Sequence, residues 1–589
     1  MRKPVLGSLG IVFIVSLTLI LVLSGCTSPG ATTATSTTTS TVTTTATTTT
    51  TATSGIKSGG VLRIGWQGWP AAGMNPFLAS DEDDFIFLSP MYEPLCMPME
   101  DGTVEPWIAQ SWEYNASAKQ WVFHLNPTAH WSDGTPLTAN DVKFTFDACW
   151  QYNTDMASEI KAYVSSVDVI DTNTVGFTMS QDLAPFVYMA GGVLIMPEHI
   201  WSTVGDVTQY NNPTPMGSGP FKFKSMQQGQ FLDLVKDPNY WKGPANIDEV
   251  IIQILLNDSA SVVALENGEI DCLPSMTTYD LVPSIEKSQY GKVYVESNPH
   301  IWYIAPNYRI YPLNLLPVRQ AMSLAIDRQE LIDTALAGYA DMPLMGYVAP
   351  SVTAWANTSV TWPGANMTQD ERIAAANALL DGLGFTMGSD GVRLTDKTAG
   401  NATVKTKMEF DLYLYSNAPY IRAAGIIQQD LAQIGIKINI SVYDPGTLYG
   451  SIIFSGEHPN DWDLLLHGSF TSPDPKDLAQ QYAPRNPSSW DNGPAFGWPP
   501  AQPSSTETQL VALLQKSMTD MDATERYNDI LLAQTLFAQD LVVITLGHKY
   551  GLGVYSTAKF DGWNPTAIHY GAMIHGLDAL QNLLSLHLK

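Results

Sequence analysis

Cysteine is scarce, with four in 589 residues. Apart from Cys26, discussed below, only Cys96, Cys149 and Cys272 remain. An odd number cannot pair completely, so either one disulfide with a free thiol or three buried thiols are expected. None stands at metal-ligand spacing. Basic residues are also few, 30 Lys and Arg against 57 Asp and Glu, for a formal net charge of -27. A nucleic-acid binder needs Lys and Arg against phosphate, so that class is excluded. The same deficit excludes an electrostatic hold on an anionic membrane. It suits a soluble, self-repelling extracellular surface. Catalytic signatures are missing as well: there is no G-x-S-x-G or H-E-x-x-H. His124, His130, His199 and His467 are scattered without metal spacing. No catalytic set, metal or cofactor is expected.

What is present begins with an export signal. Arg2 and Lys3 precede an apolar run from Val5 to Leu23, and then comes Leu-Ser-Gly-Cys. The tetrapeptide resembles a bacterial lipobox, which implies a lipid on Cys26 and a signal segment over residues 1–26. The alternative is an uncleaved anchor, since the run is long enough to span a bilayer. Residues 27–57 are nearly all Thr, Ser and Ala. Such a stretch buries too little to offset ordering entropy and reads as a disordered stalk. Asn115-Ala-Ser and Asn401-Ala-Thr are glycosylation triplets of a kind that arises by chance.

Beyond the stalk the pattern is globular, in keeping with 45% apolar residues. The length suits two or three lobes. Val61–Gly65 and Trp121–Leu125 read as strands. Thr138 with Asp141 predicts a capped helix carrying Val142, Phe146, Cys149 and Trp150 on one face. "GSGPFKFKSMQQGQFLDLVKDPNYW" (Gly217–Trp241) predicts a hairpin turning at Gln228-Gly229. Gly217 and Gly219 permit a close backbone approach there, and Tyr240 and Trp241 are expected to pack the lobe. "VIIQILL" from Val250 predicts a strand covered on both faces. A helix follows, ending at Gly268. Two helices are expected around Asp327, which caps the second with Glu330 at N3. The clearest unit predicts a helix with Ile421, Ala424, Gln428, Leu431 and Ile434 on one side. It stops at Gly435, and a strand alternates through Ile436, Ile438, Ile440 and Val442. A last helix pair, residues 509–539, leads into a strand at "LVVITL". Helices alternating with strands indicate α/β lobes.

Five strings in order resemble the extracytoplasmic solute-binding proteins of ABC importers, in the large-type family binding oligopeptides, dipeptides, nickel complexes and oligosaccharides. They are "FHLNPTAHWSDGTPLTANDVKFTF", "GSGPFKFKSMQQGQFLDLVKDPNYWKGPANIDEV", "LENGEID", "VRQAMSLAIDR" and "IIQQDLAQIGIKINI". "LLDGLGF" also matches. The resemblance covers the chain after the stalk. It implies a two-lobed, hinged periplasmic-binding-protein fold with an extra α+β subdomain in lobe I. The implied boundaries are 58–94 for the first part of lobe I, 95–216 for the subdomain and 217–301 for the second part. Lobe II would take 302–546, and 547–589 would return to lobe I. The crossings would fall near Trp302–Tyr308 and Leu546–Lys549.

The resemblance further implies a membrane-anchored, monomeric binding protein that delivers an oligopeptide or oligosaccharide to ABC permease subunits. Peptide-binding relatives tend to carry an Asp that pairs with the ligand's ammonium; here that position falls on Thr471, and the accompanying Trp position falls on Gly468. Asp474 remains nearby. Loops after strand ends are where α/β lobes place ligands. The candidate ligand residues are therefore Trp66, Trp69, Tyr92, Asn307, Tyr443, His467, Phe470, Thr471 and Asp474. Trp490 and Trp498 lie in a Pro/Gly-rich loop. With 16 Trp and 25 Tyr in the chain, stacking on sugar rings rivals peptide binding. A secreted hydrolase would need two carboxylates across a cleft. A surface adhesion protein is supported mainly by the stalk. The sequence does not separate peptide from sugar.

Overall fold

The computed structural model describes residues 56–99, 102–399, 402–455, 459–483, 492–563 and 583–589. The signal segment, most of the stalk, Trp490 and Asn401 lie outside them. Among the described residues no helix is long and apolar enough to cross a membrane.

The fold is mixed α/β, built on one sheet that runs through both lobes. On the first side it contains the strands Phe221–Gln227, Phe231–Lys236, Glu249–Ile254, Val61–Trp66 and Cys272–Leu273. On the second it contains Leu464–Phe470, Glu409–Tyr415 and Lys437–Tyr443. Two long strands, Gly291–Pro306 and Ile544–Ser556, join the sides and pair antiparallel, with register shifts at Ser297/His300 and Trp302/Tyr303. Val61–Trp66 runs parallel to Glu249–Ile254. Glu409–Tyr415 runs parallel to both Lys437–Tyr443 and Leu464–Phe470. The C-terminal ends on each side therefore face the junction. A separate four-stranded sheet, Ala109 to Met179, stands on the first lobe.

Local chemistry explains most elements. Thr138 and Asp141 form the expected capping box on the helix Ala139–Tyr152, and Val142, Phe146 and Cys149 are buried. Asp327 caps Arg328–Ala335 by accepting from Gln329 and Glu330 N–H. The hairpin forms with Gly229 at φ +71° in its turn. Added Cβ atoms at Gly217 and Gly219 would collide with the Met91 and Pro90 carbonyls, so only glycine lets the two backbones meet. Trp107 Nε1, Tyr240 Oη and Trp241 Nε1 all donate to the buried Glu93 carboxylate at 2.5–2.8 Å, so Tyr240 and Trp241 do pack the lobe.

Three readings shift. The helix Ala418–Ala432 buries Tyr420, Ala423, Ala424, Ile427 and Leu431, while Ile421 is 44% exposed. Of the stripe expected there, Ala424, Leu431 and Ile434 are buried and Gln428 is half-buried; only Ile421 turns outward. In Glu249–Ile254, Val250 and Ile252 are fully buried but Ile251 is only half-buried, so one face is thinly covered. The last strand starts at Ile544, because Leu541 adopts φ 48° as a left-handed helix cap first. Cys96, Cys149 and Cys272 are three free, buried thiols, and burial pushes each thiol's pKa up.

Candidate ligand site between the lobes

The second lobe presents tyrosines where its parallel strands end. Tyr415 closes one strand and Tyr443 the next, and Tyr443 packs on Tyr413 with ring centroids 5.1 Å apart. Tyr420 sits in the first turn of its helix, with its ring 4.5 Å from that of Tyr415. A π-helical turn, Gly446–Ile453, brings Tyr449 to His467, with Oη 3.0 Å from Nδ1. Gly468 leaves the space that His300 and Tyr420 occupy, since a Cβ there would collide with both rings. The first lobe contributes Tyr279, stacked on Tyr339 at 5.6 Å, whose hydroxyl donates to the Tyr550 carbonyl at 2.9 Å.

The crossing strands add basic groups. Lys549 pairs across the backbone with His300, and His548 with Ile301. Lys549 Nζ lies 5.0 Å from the Tyr420 ring centroid. Lys549 and His467 are deep in the fold yet only partly covered. Burial alone pulls the Lys549 pKa down to about 7. Burial, helped by Lys549, pushes His467 down to about 3. Burial takes His548 to about 4 and His300 well below its usual value. Desolvation disfavours the charged form of each. Among the described residues no three His, Cys, Asp or Glu side chains come together to hold a metal ion.

The residues named from sequence separate into groups. Tyr443 and His467 stand at this strand-end surface. Thr471 follows, 4% exposed. Phe470 ends its strand, and its side chain is not among those described. Asp474 is committed elsewhere: its oxygens accept from Arg526 Nη2 and Nη1 at 2.6 and 2.9 Å. Asn307 is fully buried, its amide donating to the Pro459 and Trp462 carbonyls at 2.8 Å. Tyr92 is fully buried in the first lobe and accepts from Asn212 at 2.8 Å. Trp66 is 6% exposed and donates to Asp83 Oδ1 at 2.7 Å. Trp69 meets Phe87 edge-on at 5.3 Å. Trp498 is buried and donates to Asp540 at 3.1 Å. Sequence reading passed over Tyr279, Tyr415, Tyr420, Tyr449, His300 and Lys549. The available signal was Lys549 itself, a cation in an apolar strand of a chain with few cations.

Two α/β lobes thus share crossing strands, with polar aromatics at the strand ends of the second. The chain belongs to the bacterial extracellular solute-binding proteins, family 5, whose model matches residues 103–489. It is 26% identical over 509 residues to the probable D,D-dipeptide-binding periplasmic protein DdpA of Escherichia coli strain K12, covering 84% of this chain and 89% of that one. It is 24% identical over 421 residues to the nickel-binding periplasmic protein of the same strain, 69% of this chain and 75% of that one. The fold matches the oligopeptide-binding protein AppA from Bacillus subtilis, in complex with a nonapeptide, with a TM-score of 0.69 at 19% identity. That match covers 91% of this chain and 100% of the other. It also matches the substrate-binding protein CtaP from Listeria monocytogenes with a TM-score of 0.73 at 24% identity, over 90% and 100% of the chains.

Proposed function

We propose that this protein captures a short peptide between its lobes and delivers it to the permease of an ABC importer, held at the membrane by lipid on Cys26. The observation that carries the reading is the interlobar surface: hydroxyl-bearing aromatics and exposed strand ends suit a peptide backbone and its side chains. The sugar alternative rested on the Trp and Tyr content, with tryptophans as its named candidates. Trp66, Trp69 and Trp498 are each held by a hydrogen bond or a ring contact within their own lobe, which weakens it. The lack of a metal cluster among the described residues argues against a bare metal ion as cargo. Membership of a binding family weighs against hydrolase and adhesin.

Closure is read as a hinge motion in the two crossing strands, with lobe boundaries near Ile301 and Leu546. Contacts across the lobes support a closed state: Ala184 N–H donates to the Met518 carbonyl at 2.9 Å, and Asp280 meets Arg422 at 3.3 Å. Ligand would shift an open–closed equilibrium by its differential affinity. The test is mass spectrometry of molecules released on denaturing protein incubated with mixed di- to nonapeptides and mixed oligosaccharides. Retained, intact peptides are expected. Retained sugars, or cleaved peptides, would overturn the reading. Cys26→Ala should release the protein from membranes; continued retention with residues 1–25 attached would favour the anchor helix.

A further inference from the structure

We propose that Lys549, framed by His300, Tyr415 and Tyr420, is the anchor for a carboxylate of the bound solute. The assignment rests on the peptide reading for the identity of that carboxylate, the chain terminus or an acidic side chain. The other deeply placed cations of the second lobe are matched. Arg319 meets Asp540 at 3.3 Å, Arg393 meets Asp381 at 2.6 Å, Lys476 meets Asp477 at 2.9 Å and Arg526 meets Asp474 at 2.6 Å. Arg328 donates to the Thr545 and Ser323 carbonyls at 2.9 and 2.6 Å. Lys549 has the Tyr420 ring alone, and among the described residues no carboxylate lies within ion-pair reach of it. A cation set in a dry place without an anion is costly, and an arriving anion relieves that cost.

The neighbours share one polarity. His300 lies across the strand pair from Lys549 and beside Gly468. The Tyr415 and Tyr420 rings lie 4.5 Å apart beside Lys549, so two phenol groups accompany the ammonium. Asp341, on the strand paired with His548, accepts from the Tyr550 hydroxyl at 2.7 Å. Among the described residues no acid faces Lys549 here, a setting that accepts an anion and rejects an ammonium. A neutral sugar would use no such charge.

Two measurements test the assignment with the full-length protein. The first uses matched di- to nonapeptide libraries without acidic residues, one with free C-termini and one amidated. The wild type should retain free-acid members at least tenfold over amides. Lys549→Met should abolish that preference, and Lys549→Arg should keep part of it. Lys549→Met removes a half-buried charge that has no carboxylate partner among the described residues, so its thermal stability should equal or exceed the wild type. Equal retention of both libraries by the wild type overturns the carboxylate anchor and leaves the peptide reading standing. The second measurement needs no peptide. Lysines are labelled by reductive ¹³C-methylation, and the Lys549 resonance is assigned by its loss in the Met variant. It should move with sodium acetate and stay still with sodium chloride at equal ionic strength. No movement overturns the anchor. Movement with neither library retained keeps the anchor and overturns the peptide reading.

Discussion

The ion pair between Asp474 and Arg526 provides a decisive perturbation, because two roles for Asp474 make opposite forecasts. Both side chains are under 10% exposed, and the guanidinium meets the carboxylate through two bonds of 2.6 and 2.9 Å. Asp474 Oδ1 also accepts the Lys476 N–H at 2.9 Å, Arg526 Nε donates to the Ser517 carbonyl at 2.9 Å, and Trp355 covers the guanidinium at 4.9 Å. Removing one partner of such a pair strands the other and costs about 3–5 kcal/mol. For a folded unit of about 530 residues, an unfolding entropy of about 2.1 cal/mol/K per residue makes 1 kcal/mol worth about 1 °C. Arg526→Met should therefore lower Tm by about 3–5 °C in a calorimetric scan, and Asp474→Asn by a similar amount. The double variant Asp474→Leu/Arg526→Met should recover most of the loss, since a packed apolar pair replaces the ionic one. Had Asp474 been the clamp for a ligand ammonium, Asp474→Asn would abolish binding with Tm unchanged. That outcome would refute the structural role.

Three further perturbations follow. Glu159 of the first lobe meets Lys476 at 3.2 Å and Gln480 at 3.3 Å on the second, so Glu159→Ala should loosen the closed state and raise the unliganded radius of gyration in small-angle scattering; an unchanged profile would remove this contact from the closure. Burial raises the Asp430 pKa from 3.8 to about 6, against the Asp327 N–H that it accepts; the folded state then holds the extra proton between those values, so stability falls as pH rises from about 4 to 6, by at most about 3 kcal/mol, and Asp430→Asn should flatten that slope in denaturant titrations. Trp66 is buried and tied to Asp83, so Trp66→Ala should cost about 3–5 kcal/mol of stability; a variant that loses affinity at wild-type Tm would return Trp66 to the ligand wall.

Local rules made the elements legible. The caps at Thr138 and Asp327 and the left-handed glycines at Gly229 and Gly435 each act within a few residues, and such signals survive in a linear string. The order of family strings carried the lobes. The site was harder to read because its members are distant in sequence. Tyr279, His300, Tyr420, Tyr449 and Lys549 come together only where parallel strands end beside two crossing strands. Periodicity also misled at Ile421, since a helix with apolar residues on most sides offers several stripes and tertiary packing selects one. Asp474 was singled out by its place in the family's Asp-Pro motif and Asn307 by its place at the first crossing. Their partners, Arg526 and the Pro459 and Trp462 carbonyls, lie too far along the chain for a sequence pattern to disclose.

The charge pattern links these observations. A chain with a net charge of -27 repels anions at long range, so a ligand carboxylate gains little from steering and must be rewarded at short range. Lys549, which has no carboxylate partner among the described residues, would supply that reward chiefly after the lobes close over a ligand, because in open water the same lysine interacts weakly. The anchor then discriminates in the closed state rather than in the encounter. On the proposed reading a carboxylate held at Lys549, rather than an ammonium, would set the register of a bound peptide.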